Sequence, residues 1–266
     1  MNPKEATLSI VAVALAWLLL EGLIQLTLRG WVYSKLYPGG AALHSKGQRE
    51  AARNTTSGVV KLVSVVHNAI QIPIAFMVLL DPAVNHDTIY GHTHLSTLMC
   101  LISSGYFLYD IFVVIARREG GGMLVHAACC LFVYTYAVYS FYLHFFGAGF
   151  LLWELSTPFV HFRWFLHRSG QSKSRLYVVN GLVMLLVFFL CRPLWGTWLS
   201  YRFFADTEVE LRNPRPNGFP ASGIWGYRVA NVALNLLNYF WFSKIAAGAV
   251  ELLFPSKKKA AQGKIC

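Results

Sequence analysis

MLVHAACCLFVYTYAVYSFYLHFFGAGFLLW, residues 123–153, contains no Asp, Glu, Lys or Arg. A chain segment of this length without charge is too apolar to face water. It is also too long for one crossing of a bilayer core, which takes roughly 20 residues. The stretch therefore reads as two membrane helices, 123–141 and 145–166, divided near the glycine-containing residues 146–149. Working outward, similar apolar runs precede it at 8–28, 59–80 and 95–115, and follow it at 176–192 and 229–250. Their ends carry stop signals: Asp81-Pro82 after the second, Arg117-Arg118 after the third and Pro193 after the sixth. Lipid offers no partner for unpaired backbone groups, so all seven should be helices. The expected fold class is all-α, a polytopic membrane bundle of about seven transmembrane helices.

Composition agrees. Hydrophobic residues make up 56% of the 266-residue chain and charged residues 13%, with a mean hydropathy of +0.47. A soluble domain is about a quarter charged, so a soluble enzyme, a disordered scaffold and a disulfide-rich secreted domain are excluded. The net charge of +11 does not indicate a nucleic-acid partner, because most Lys and Arg lie in short segments between apolar runs. There they set orientation. The loops after runs one, three and five and the C-terminal tail carry fourteen basic residues, against five on the other side. The N-terminus is thus expected in the lumen or outside, and the tail in the cytosol. The five cysteines show no zinc spacing, and no metal site is expected.

Four organisational readings follow. Residues 1–47 form the first span and a basic juxtamembrane segment, 48–253 a six-span domain, and 254–266 a basic cytosolic tail. The basic region 29–53, with Trp31, Val32, Leu36 and Tyr37, is expected to lie along the cytosolic interface. The sequon Asn54-Thr55-Thr56 falls in that cytosolic loop and should be unused. Residues 202–222, with three prolines, are expected as the longest irregular loop.

Polar groups inside spans are costly, so each is a functional candidate, with helix–helix hydrogen bonding as the plainer reading. Lys61, Ser64, His67, Asn68 and Gln71 share one side of the second span. Ser103, Tyr106 and Asp110 share a face of the third, His126 opens the fourth, and Glu154, Thr157 and His161 form a stripe on the fifth. Asn231, Asn235 and Asn238 line the seventh as packing polar groups. Asp110 lies about 7.5 Å and His126 about 4.5 Å inside the cytosolic end of neighbouring antiparallel helices, so contact between them is geometrically allowed. An Asp orienting a His is the minimum equipment for general base catalysis; the same pair is also a common structural one. Arg163, Arg192 and Lys244 read as cations that anchor span ends by reaching to the interface.

These residues resemble a known family. Ser64-Val-Val-His67-Asn, Ser104-Gly-Tyr-Phe-Leu-Tyr-Asp110, His126, and Glu154-Leu-Ser-Thr-Pro158-Phe-Val-His-Phe-Arg163-Trp-Phe are similar in order and spacing to the TLC domain, over about residues 48–253. The resemblance is to the small TLC-domain proteins of the endomembrane system. It implies a helical bundle enclosing a cavity, residence in the endoplasmic reticulum or another endomembrane, membrane lipids as partners, and a role in lipid homeostasis. Ceramide synthases of the same superfamily carry a His-His pair where Val125-His126 stands here, and a second acid where Thr157 stands. Two readings remain open. One is lipid binding or transport in a polar cavity formed by His67, Asn68, Tyr106, Glu154, Thr157 and His161, without a cofactor. The other is a membrane acyltransferase using His126 and Asp110 on a lipid acceptor, with acyl-CoA as co-substrate. A receptor reading lacks Asp-Arg-Tyr after the third span and Asn-Pro-x-x-Tyr in the seventh.

Overall fold

The computed structural model describes residues 2–38 and 45–253. Among them the chain is a bundle of helices without strands: α1 Pro3–Leu36, α2 Ser45–Leu80, the short α3 Pro82–Asn85, α4 His94–Arg117, α5 Gly121–Ser140, α6 His144–Leu151, α7 Thr157–Arg168, α8 Arg175–Phe189, α9 Trp195–Arg212 and α10 Ala221–Leu253. Five segments are long and apolar enough to cross a membrane: Pro3–Leu36, Gly47–Leu80, His94–Arg117, Gly121–Ser140 and Arg175–Arg212. The stretch expected as the fifth span is divided into α6, a tight turn Leu152–Ser156 and α7, and is not among these five. The expected seventh is α10, whose asparagines dilute its hydropathy. Leucines along α1 such as Leu8, Leu15, Leu19 and Leu26 are exposed, as expected of a lipid-facing surface.

Local chemistry sets the helix ends. Asn2 caps α1: its Oδ1 accepts from the Glu5 N–H at 2.8 Å and its own N–H donates to Glu5 Oε2 at 3.1 Å, a reciprocal pair that satisfies two orphan donors. Thr93 and Ser96 cap α4 in the same way. The charge-free stretch divides at 141–143, where Phe141 and Leu143 adopt left-handed φ values of 60° and 63°. Residues 146–149, expected near the join, lie inside α6 instead. The divide is held by His144, whose ring pairs with Ser96 Oγ at 2.7 Å and with the Ala137 carbonyl at 3.1 Å.

Three further expectations are corrected. Pro193 does not end the sixth span. The chain widens into a π-type turn over Leu190–Leu194, which accommodates the missing proline N–H, and continues as α9 to Arg212. The irregular segment is thus 213–220 rather than 202–222. The basic region 29–53, expected along the cytosolic interface, is not set apart from the long helices. Its described parts are continuations of α1 and α2, which pack together: Asn54 is buried and its Nδ2 donates to the Tyr37 hydroxyl at 2.9 Å, leaving the sequon amide engaged. The tail 254–266 lies outside the described residues.

Helices α1 and α4 approach closely at Gly105, which has no side chain to hold them apart. A Cβ at this position would run into the Val13 side chain and stand 3.0 Å from the Ala14 backbone nitrogen. Glu21 of α1 then accepts from the Tyr109 hydroxyl at 2.7 Å and from Arg117 at 3.3 Å. The opposite end of the bundle is closed by a polar cap between the α3–α4 and α9–α10 loops. Thr88 Oγ1 donates to Asp206 at 2.7 Å, Arg215 Nη1 to Asp87 at 2.6 Å, and the Tyr90 hydroxyl to Glu210 at 2.5 Å.

Candidate functional site

Glu154 stands on the tight turn Leu152–Ser156, where α6 gives way to α7. Its carboxylate accepts from Thr157 Oγ1 at 2.7 Å and from Arg192 Nη2 at 3.2 Å. Arg192 comes from the π-type turn beside Pro193, so both halves of this ion pair sit on irregular turns that aim side chains inward. The guanidinium makes three further bonds: Nη2 donates also to Thr157 Oγ1 at 3.4 Å, Nε to Ser156 Oγ at 3.0 Å and Nη1 to Asn238 Oδ1 at 2.8 Å. The cation lies over the Phe188 ring at 5.0 Å and the Trp241 ring at 5.9 Å. A desolvated ion pair persists only when its lone pairs and protons are satisfied this completely.

Glu154 also lines the wall of a narrow, partly open cleft with a free volume of about 50 Å³. The cleft is mostly apolar, with Phe107, Tyr134, Phe146 and Leu234 among its walls and His126, Glu154 and Asn231 as its polar groups. The His126 ring meets Phe107 and Trp241 edge-on at 6.0 and 5.6 Å. Its Nε2 lies 3.9 Å from Cys130 Sγ.

A second polar group follows the α2 stripe. His67 is 1% exposed and stacks on Tyr106, with centroids 3.8 Å apart and planes 12° apart; Trp17 of α1 closes over both rings. His67 Nδ1 is 3.3 Å from Asn68 Oδ1. Gln71 Nε2 donates to the Met99 carbonyl at 3.0 Å and to Ser103 Oγ at 3.1 Å. Several buried atoms have no hydrogen-bond partner among the described residues: His67 Nε2, Asn68 Nδ2, Gln71 Oε1 and both ring nitrogens of His161.

The residues singled out from sequence thus fall into three places. Glu154 and Thr157 belong to the ion-pair turn, and Glu154 and His126 face the cleft. His67, Asn68 and Tyr106 form the stacked group against α1. Asp110 on α4 and His161 on α7 belong to none of these groups, and Lys61 of α2 places its Nζ over the Trp164 ring at 4.8 Å. Asp110 and His126 share no hydrogen bond among the described residues, and Glu154 lines the cleft together with His126. No group of His, Cys, Asp and Glu suited to a metal occurs among the described residues.

Arg192 was expected at a span end and is instead 5% exposed, at the centre of this network. A signal for it was available. A carboxylate in mid-membrane demands a counter-cation, and Arg163 lies on the opposite side of the fifth span from Glu154. Asn238, read as packing, is the group that holds the guanidinium from α10.

Comparison with known proteins agrees with this architecture. The TLC domain family model matches residues 59–247. The chain is 31% identical over 186 residues to an uncharacterized TLC domain-containing protein of Schizosaccharomyces pombe, covering 69% of this chain and 62% of that relative, less than two thirds of its length. It is 31% identical to TLC domain-containing protein 4-B of Danio rerio, over 73% of this chain and 74% of the relative. To TLC domain-containing protein 4 of Homo sapiens it is 27% identical, over 88% and 87%. No solved structure matches it.

Proposed function

The chain belongs to the TLC-domain family, and on that premise we propose that it acts in membrane lipid homeostasis by binding or moving a lipid in the cleft between α5, α6 and α10. The observation that carries this reading is the cleft's division of labour. Its walls are hydrocarbon and aromatic, suited to acyl chains, while His126, Glu154 and Asn231 supply the few polar groups that would orient a headgroup. The protein sits in an endomembrane, with its N-terminus lumenal and its tail cytosolic, in keeping with the fourteen-to-five distribution of basic residues.

Lipid binding accounts for the geometry better than acyl transfer from acyl-CoA. A general base needs a group that orients its ring, and Asp110 makes no hydrogen bond to His126. The test is a full lipid profile of cells lacking the protein, rescued at matched abundance with wild type or with His126→Ala. Binding predicts that wild type restores a specific lipid class and that His126→Ala restores it only in proportion to the lipid that the variant still retains. Restoration by wild type and none by a variant that still retains the lipid would replace this reading with acyl transfer at His126.

A further inference from the structure

The Arg-Trp-Phe end of the α7 segment takes no part in the cleft, and its arginine faces another groove. Arg163 lies flat over the Tyr177 ring of α8 at 4.0 Å and donates Nη1 to the Tyr177 carbonyl at 3.3 Å. It can do so because residue 181 is glycine: a Cβ on Gly181 would collide with Nη1. Across the groove stands Lys244 of α10, exposed and 5.4 Å from the Phe240 ring. Between the cations run apolar walls that include Val160, Leu182 and Ile245, and Val160 and Leu182 are exposed.

Among the described residues neither cation has an acidic partner. The ion pairs there use Arg117, Arg168, Arg192, Arg212, Arg215 and Arg228. Arg163 is five residues from the end of α7 and Gly181 six into α8, about 7.5 and 9 Å along the helices. That is near the level where headgroup and hydrocarbon meet. Two cations converging at this depth on a membrane-exposed apolar groove match one anion that carries hydrocarbon chains. We propose that the α7–α8–α10 groove binds an anionic glycerophospholipid, its phosphate between Arg163 and Lys244 and an acyl chain along Val160, Leu182 and Ile245. This site is separate from the cleft and does not depend on the reading given to it.

The test uses the full chain in bilayer discs containing equal phosphatidylserine and phosphatidylcholine, with retained lipid counted by native mass spectrometry. Wild type should hold phosphatidylserine in preference. Lys244→Gln, an exposed change that spares the fold, and Arg163→Gln should each lower that preference about fivefold. Gly181→Ala keeps both charges but displaces the guanidinium, and should lower it too. Lys173→Gln, which removes a cation outside the groove, should leave it unchanged. Undiminished preference in Lys244→Gln, an equal loss in Lys173→Gln, or displacement of the lipid by excess inorganic phosphate would each overturn the proposal: the first would mean that the cations merely reach to water, the second that attraction is diffuse, the third that the site takes a free anion.

Discussion

Arg192 Nη2 lies 3.2 Å from Glu154 Oε1, with the two side chains 5% and 14% exposed. The pair joins two irregular turns, one at the α6–α7 break and one at the π-type turn before α9, and Asn238 ties it to α10. Its charges are neutralised inside the bundle, so Glu154 can face the cleft without the full cost of an isolated carboxylate in hydrocarbon.

Removing one partner should therefore be costly. Arg192→Met is expected to lower stability by about 3–5 kcal/mol, since it leaves a buried carboxylate unpaired. Combining it with Glu154→Gln should recover a large part of the loss. Thermal unfolding of the purified variants in detergent checks both statements, and a single variant as stable as wild type would contradict the buried pair.

The α1–α4 crossing supplies a second prediction. Gly105→Ala forces a methyl group against Val13 and the Ala14 backbone, which should cost about 1–3 kcal/mol. Gly22→Ala in α1, where nothing lies within 4 Å, should instead leave stability unchanged or raise it, because alanine restricts the unfolded chain. Equal effects in the two variants would argue against the close approach of α1 and α4.

The polar cap should respond to acid. Burial works to raise the Asp87 carboxyl, but the Arg215 guanidinium and the Tyr90 and Ile89 backbone N–H groups outweigh it and hold Asp87 below its ordinary value. A depressed carboxylate contributes stability that is present above its unfolded value, about 3.9, and is lost as pH falls through the lower folded value. Hydrogen exchange of residues 86–92 should thus quicken as pH drops below about 4, and Asp87→Asn should remove that step. At the other extreme, burial and the bond to Glu210 push the Tyr90 hydroxyl up to about 12, so its contribution is full below about 10 and fades as pH rises through 12. An acid step that persists in Asp87→Asn would assign it to another group.

Much of the bundle was legible in the sequence because bilayer thickness imposes a length on apolar runs. The run end at Leu80 and the stop signal at Arg117 coincide with helix ends for that reason. What escaped were places where a helix signal and the backbone part company. Pro193 reads as a terminator, yet a widened turn carries the helix through it, and Arg192, the residue before it, therefore points inward rather than to the interface. Likewise 146–149 looked loose because of its glycines, while the divide fell at Phe141 and Leu143, which carry no such mark and are held by His144. The polar stripe of α2 was readable from spacing alone. Its partners were not, because the Tyr106 stack and the cover supplied by Trp17 depend on the α1–α4 crossing.

The claim at the centre of this account is that lipid enters the cleft beside His126 and Glu154. A photoreactive, clickable fatty-acyl lipid, irradiated with the full protein in native membranes and mapped by peptide sequencing, tests it most directly. The account predicts labelling of cleft residues on α5 and α10, including the segments around Cys130 and Leu234, and its loss when Leu234→Trp fills the cleft in a protein of normal stability. Labelling confined to outward-facing residues such as Leu15 or Leu186, and unchanged by Leu234→Trp, would contradict it.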